Sequence, residues 1–249
     1  ALETLQIALW GTLLGIVLAV PLGFLAARNL HGNRWLYQAT RQLLNVIRSI
    51  NELILALVFV SAVGLGPFPG VLALALHGMG MLAKFFAEAI EEIDDGPLQA
   101  LRSAGASQLQ IIAFGVVPQV ITAWIAVVLY RFEVNLRSAT VLGMVGAGGL
   151  GFELVSSLKL FRYQETATCI IVITVNAGAF ISAIVKGALE SVEVGQIEAG
   201  RALGLTEHQI LWHLVIPPAF KMMLPALFNQ FIISVKDTAM LSIISVNEI

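Results

Sequence analysis

Six stretches of the chain are predominantly apolar: residues 4–27, 43–63, 68–87, 119–141, 165–186 and 218–247. Each reaches the roughly 20 residues that a helix needs to cross a hydrocarbon core of about 30 Å. Polar stretches rich in charge, glycine and proline separate them. The pattern predicts an all-α, polytopic membrane protein with about six transmembrane helices.

The placement of charge orients these segments. Arg28, Arg34, Arg41 and Arg48 follow the first segment with no acid before Glu52, and such an excess of arginine marks a cytoplasmic loop. Alternation then puts residues 28–42, 88–118 and 187–217 inside, and residues 64–69 and 142–164 outside. It leaves the last segment ending outside at Ile249 with no return helix, as expected of a chain cut short or grafted. No basic leader precedes the first segment, so no cleavable signal peptide is read there.

Composition agrees with the hydropathy pattern. The chain is 58% hydrophobic and 12% charged, with a mean hydropathy of +0.88, against about 45–50% and about 25% in soluble domains. An ordinary soluble fold is therefore excluded. The net charge of −2 decides nothing further. The single Cys169 rules out an internal disulfide and reads as a small buried side chain in an apolar run.

The two longer inside loops repeat one pattern. The first reads Gln99-Ala100-Leu101, then Gly105, then Pro118; the second reads Glu198-Ala199-Gly200, then Gly204, then Pro217. Both anchors stand at one offset of 99 residues (204 − 105 and 217 − 118), and Glu91/Glu190, Gly96/Gly195, Arg102/Arg201, Gln110/Gln209 and Ile111/Ile210 match at the same offset. Asp94 or Asp95 can cap a helix that begins at Pro97, where no N–H is needed. Gly105 and Gly204 suit a left-handed helix stop. Ser107-Gln108-Leu109-Gln110 and Thr206-Glu207-His208-Gln209 fit capping boxes for a second helix ending near Pro118 or Pro217. Each loop is thus predicted as helix, glycine turn, helix.

Other candidate chemistry is weaker. Glu91, Glu92, Asp94 and Asp95 cluster without His or Cys, and acids near a helix start favour the macrodipole rather than a metal or catalytic site. Residues 146–151 spell G-x-G-x-x-G, but no β-strand precedes them, so close backbone packing is expected instead of a dinucleotide. Gly11 and Gly15 form a helix-packing pair. Ionisable residues in or beside the spans are His77, Lys84, Arg131, Glu133, Arg137, Lys236 and Asp237. Of these Glu133 and Arg137, four apart, can pair on one helix face and are the candidates for the translocation path; an internal ion pair that eases insertion is the alternative. His77 reads as a packed polar side chain. No metal site and no P-loop is found, so ATP hydrolysis has to belong to a partner.

The spacing of the twin loops resembles the EAA loop of bacterial ABC importer permeases, a Glu-Ala-Ala stretch followed by Gly and, thirteen residues on, Pro. Residues 1 to about 175 resemble the phosphonate-type permeases in ETLQIALWGTLLGIVLAVPLGFLAARN, ELILALVFVSAVGLGP, EAIEEIDDGPLQALRSAGAS, YRFEVNLRSATVLGMVGAGGLGFEL and FRYQETAT; methionine-type permeases are more distant relatives. Asn51 stands where the family pattern has Pro, and Gln99 where it has Glu. From about Ala177 the chain resembles the polar amino-acid permeases in GALESVEVGQIEAGRALGL, LVIPPAF and LPALFNQFIISVKDTAMLSIISVNEI. The composite reads as a chimera: a five-helix core over residues 1–186 with the first loop at 88–118, joined to residues 187–249 with the second loop at 187–217 and one further helix.

The resemblance implies an inner-membrane permease subunit, not an enzyme, that couples to an ATPase through Gln99, Ala100, Gly105 and Pro118 or through Glu198, Ala199, Gly204 and Pro217. The implied partners are a cytoplasmic ATP-binding subunit, an extracytoplasmic solute-binding protein and a second permease subunit, as a homodimer in lipid, with no cofactor and no nucleic acid. The longer resemblance implies phosphonate or a related phosphorus oxyanion as solute, and the shorter a polar amino acid. A chimeric scaffold that inserts but transports nothing is a third reading. Gly105 is expected to mark the working loop.

Overall fold

The structure, a computed structural model, describes residues 1–29 and 34–245; of residues 176, 177, 180, 230 and 233–245 it describes the backbone only. The described residues are helical, with no strand among them. In chain order the helices are α1 (Leu2–Ala26), α2 (Arg34–Ser49), α3 (Glu52–Val63), α4 (Pro67–Glu91), α5 (Asp95–Ser103), α6 (Gln108–Gln110), α7 (Val117–Met144), α8 (Gly149–Lys159), α9 (Tyr163–Glu190), α10 (Val194–Ala202), α11 (Glu207–Ile210) and α12 (Ile216–Ser245). π-helical segments Ile111–Val116 and Leu211–Val215 lead into α7 and α12. The chain divides into two compact units, Ala1–Arg162 and Tyr163–Ile249.

Among the described residues four helical stretches are long and apolar enough to cross a membrane: Leu2–Ala26, Pro67–Glu91, Gln108–Lys159 and Glu207–Asn229. α9 opens with a shorter apolar run, Tyr163–Val175. Five of the six predicted segments coincide with single helices, and the segment 43–63 does not. It is split into α2 and α3, which meet at 83°. Asn51 is the cause. Its backbone is extended (φ −65°, ψ 141°) and its Oδ1 accepts the Leu53 N–H at 2.8 Å, so it starts a new helix and cannot continue the old one.

The first unit is built on the packing of α1 against α4. Gly11, Gly15 and Gly23 lie on the face of α1 that meets α4, where an added Cβ would sit 2.8 Å from Leu74 Cβ, 3.4 Å from the Ala75 carbonyl oxygen and 2.9 Å from Phe86 Cβ. Only small residues allow backbones this close, the device that membrane helices use in place of a hydrophobic driving force. α7 packs across the pair, and Trp124 stacks on Phe86 (centroids 4.4 Å apart) and meets Phe24 edge-on.

The two ends of this unit segregate as the alternation requires. At one end, the Arg28 N–H and Arg41 Nη2 both donate to the Glu91 carboxylate, at 2.8 and 2.9 Å. At the other end, the Gly66 N–H donates to the Gly146 carbonyl, and the Leu150 N–H donates to Thr4 Oγ1. The glycine-rich 146–151 stretch is a tight reversal between α7 and α8. A Cβ on Gly143 or Gly151 would overlap the carbonyl oxygens of Gly148 and Thr140 respectively. Close packing, rather than a ligand, accounts for those glycines.

Candidate functional site

The twin hairpins carry the main candidate site, and each forms from local signals. Asp94 caps α5 by accepting the Gly96 N–H at 3.0 Å. α5 starts at Asp95, so Pro97 is its third residue and not its first. Gly105 (φ 79°) then ends it in a Schellman motif: the Ala106 N–H bonds the Leu101 carbonyl and the Gly105 N–H bonds the Arg102 carbonyl. Gly204 (φ 76°) repeats this, with Leu205 N–H on Gly200 O and Gly204 N–H on Arg201 O. Both capping boxes form reciprocally, Ser107 with Gln110 and Thr206 with Gln209.

Pro118 and Pro217 do not end the second helix of each hairpin. They lie at the first turn of α7 and α12, directly after the π-helical segments. There the Val117 N–H reaches back to Ile112 O, and the Ile216 N–H to Leu211 O, five residues earlier. A proline ring collides with the carbonyl four residues before it, and a widened turn moves that carbonyl aside. The hairpin therefore continues without a joint into a long membrane helix.

The hairpins share a core at one register. Leu98, Ile111, Val116 and Val120 in the first correspond, at the same offset, to Ile197, Ile210, Val215 and Ala219 in the second. At one crossing the sizes are exchanged. Leu101 lies against Gly115, whose added Cβ would be 3.0 Å from Leu101 Cδ1; Gly200 lies against Leu214, with 2.6 Å to Leu214 Cδ1. One leucine and one glycine fill the same gap from opposite sides.

Their anchoring differs. The Gln119 side chain ties the foot of the first hairpin, accepting the Asp94 N–H at 3.0 Å and donating to the Gly115 carbonyl at 2.8 Å. Glu91 binds that foot to α2 and to the end of α1, and Asn29 donates to the Ile90 carbonyl. The hairpin's buried residues belong to one cluster with Leu44, Leu82, Phe86 and Trp124. In the second hairpin Pro218 replaces Gln119, Glu193 makes no side-chain cap, and only Val192, Ile210, Val215 and Ala219 are buried in its cluster. An exposed pair, Arg201 with Glu207 (2.8 Å), is its own addition, since Gln108 stands at the matching position of the first.

Gln99, Ala100, Gly105 and Pro118 are exposed, as are Glu198, Ala199, Gly204 and Pro217. The sequence marked Leu109 only as a member of a capping box and gave no sign of Phe114, yet these are 79% and 71% exposed on the first hairpin, as Trp212 is exposed on the second. An apolar residue inside an apolar stretch gives no signal of exposure until the hairpin's packed face is known.

Of the candidates for a path, Glu133 is exposed and Arg137 half-buried. The buried charge of α7 is Arg131, with Asn135 and Ser138 on the same face. At about 100° per residue, Glu133 and Arg137 stand on roughly the opposite side of the helix. The His77 ring bonds the Ile50 carbonyl through Nδ1 at 3.1 Å, and Lys84 pairs with Glu88 at 3.8 Å. The side chains of Lys236 and Asp237 lie outside the described residues. Among the described residues no His, Cys, Asp and Glu group could hold a metal ion.

Residues 19–174 and, separately, residues 161–247 match one family, the inner membrane component of binding-protein-dependent transport systems. The chain belongs to that family. This permease is 48% identical over 172 residues, 69% of its length and 62% of the relative's, to the phosphite transport system permease protein PtxC of Stutzerimonas stutzeri. It is 38% identical over 98 residues, 39% of its length and 45% of the relative's, to the glutamine transport system permease protein GlnP of Escherichia coli. The permease thus spans less than two thirds of the length of these curated relatives. An inward-facing structure of the MetNI methionine ABC transporter superposes with a TM-score of 0.59 at 23% identity, covering 71% of this chain and 89% of that one. That likeness shows the shared permease fold.

Proposed function

We propose that the chain supplies half of the translocation path of an ABC importer and couples it, through the first hairpin, to a separate cytoplasmic ATPase. The observation that carries this reading is the first hairpin itself. It is a capped, glycine-closed knob that runs without a joint into α7 and is clamped at its foot by Glu91 and Gln119. A rigid knob seated in a cleft of the ATPase would pass the closure of that partner into the membrane helices as a rigid-body movement. Its exposed Leu109 and Phe114 offer the apolar anchors that such a seat uses. An extracytoplasmic solute-binding protein and a second copy of the chain complete the assembly in this reading. The segregation of Arg28 and Arg41 to the hairpin's end of the first unit supports a cytoplasmic hairpin.

The relative matched at 48% identity is named for phosphite transport, which supports a phosphorus oxyanion as solute. The match to a glutamine permease supports a polar amino acid as the second reading. The domain division into a five-helix core over 1–186 and a second part over 187–249 belongs to the same proposal.

Co-purification with a phosphonate-type ATPase tests the coupling. Gly105→Val and Gly204→Val each force a β-branched residue to a positive φ. Loss of the ATPase with Gly105→Val alone is the expected result, and binding unaffected by either change would sink the docking idea.

A further inference from the structure

A part-buried polar cluster lies at the break between α2 and α3. Glu52 is the first residue of α3. Its carboxylate accepts the Ser138 hydroxyl through Oε1, and Oε2 stands 3.7 Å from Arg131 Nη2 and 3.9 Å from His77 Nε2. Three groups from α4 and α7 converge on one carboxylate.

The convergence is incomplete. Arg131 is 3% exposed, yet among the described residues its Nε and Nη2 find no hydrogen-bond partner, while Nη1 reaches Met81 Sδ at 3.5 Å. Beside it on α7, the Asn135 Nδ2 donates to Thr12 Oγ1 at 2.9 Å, while its Oδ1 has no donor among the described residues. A guanidinium–carboxylate pair built for stability closes to about 2.7–2.9 Å, usually with two parallel bonds. At 3.7 Å the Coulomb attraction survives and the hydrogen bonds are lost. Buried donors left unmade are costly, and each such group in a native structure calls for a reason.

The surroundings supply one. Ionisable groups inside a membrane protein mark solute paths by default. Broken membrane helices present the positive ends of their half-helices to anionic solutes. Here the start of α3 and Arg131 face the same place. Two Arg131 donors, Nε and Nη2, are left there without an acceptor among the described residues. Glu52 and His77 are 23% and 21% exposed, whereas Arg131 is almost wholly buried.

We propose that Arg131, with Ser138 beside it, recognises the anionic group of the transported solute, a tetrahedral phosphorus oxyanion. Glu52 is the resident counter-ion that the solute displaces. Without solute, Glu52 holds the anion's place beside Arg131. The arriving oxyanion brings more acceptor oxygens than the carboxylate, takes up the unmade Arg131 donors and frees the start of α3. This rests on the importer reading above.

The test uses the purified full-length chain in nanodiscs, with the thermal unfolding midpoint followed against phosphite, methylphosphonate, sulfate and glutamine. Phosphite is expected to give a saturable upward shift and glutamine none. Arg131→Gln should weaken the apparent affinity about tenfold or more, and Arg131→Lys, which keeps the charge but loses the fork, should fall between. Glu52→Gln should tighten it severalfold, because the competing anion is gone. A purely structural cluster predicts a different outcome, with both substitutions lowering the midpoint and neither moving the affinity in opposite directions. Equal weakening by both, unchanged affinity in both, or no shift with phosphite in the wild type overturns the proposal. Should Arg131→Gln fail to fold, Arg131→Lys and Glu52→Gln still decide it by the sign of their effects. The importer reading fails separately. If phosphite binds through Arg131 but Gly105→Val leaves ATPase capture unaffected, the coupling falls and the site stands; the reverse result removes the site alone.

Discussion

At the scale of single residues, the exchange of Leu101 and Gly115 for Gly200 and Leu214 is the sharpest evidence that the hairpins are two solutions to one packing problem. The gap between the crossing segments is held constant while the side chain that fills it changes sides. Gly115→Leu would put two leucines into space for one, and overpacking of this kind costs about 1–3 kcal/mol. Adding Leu101→Gly restores the volume, so the double variant should recover most of the loss. A double-mutant cycle on thermal unfolding in detergent reads this, and additivity of the two changes would refute the shared gap. The glycine turns, capping boxes and Asp94 cap were all legible in the sequence because each joins residues within five positions. The exchange was not, since the partners' approach depends on how two helices cross.

At the scale of elements, the break at Asn51 reshapes the second predicted span. The φ of −65° at Asn51 is the value that a proline ring enforces, so the proline of the resembled family pattern and this asparagine hold the backbone alike. The asparagine adds a side-chain cap on Leu53. Asn51→Ala should cost about 1 kcal/mol through loss of that cap. Asn51→Pro should cost less, because the ring restricts the unfolded chain at a φ already adopted. Comparing the unfolding midpoints of the two variants checks this, and a less stable proline variant would contradict it. The break was hidden from hydropathy because Arg48, Ser49, Asn51 and Glu52 are flanked by apolar residues on both sides, so the average over residues 43–63 stays apolar. A hydropathy window measures transfer to lipid and is blind to direction.

At the scale of the molecule, the family match falls on two overlapping stretches and the chain folds as two units. The first unit has one continuous cluster running from its hairpin to α1, α4 and Trp124, whereas the second hairpin rests on a small cluster of its own. Rigidity therefore favours the first as the lever. The same unit separates its ends, and this gives a topological prediction. With Cys169→Ser as background, Leu65→Cys should react with an impermeant thiol reagent from outside the cell, and Ser107→Cys only after permeabilisation. Labelling of both from one side would overturn the orientation read from Arg28, Arg34, Arg41 and Arg48.

By itself the sequence determined the helical class, the membrane setting and the twin hairpins, because these follow from transfer free energy and from hydrogen bonds between near neighbours. It also marked Arg131 as an unusual charge in an apolar stretch. Tertiary structure decided the rest. It set Arg131 against Glu52 and left Glu133 exposed, clamped the first hairpin to α2 through Arg41 and Glu91, and turned one expected span into two helices. Each of these depends on residues far apart in the chain meeting at a distance and angle that only packing specifies.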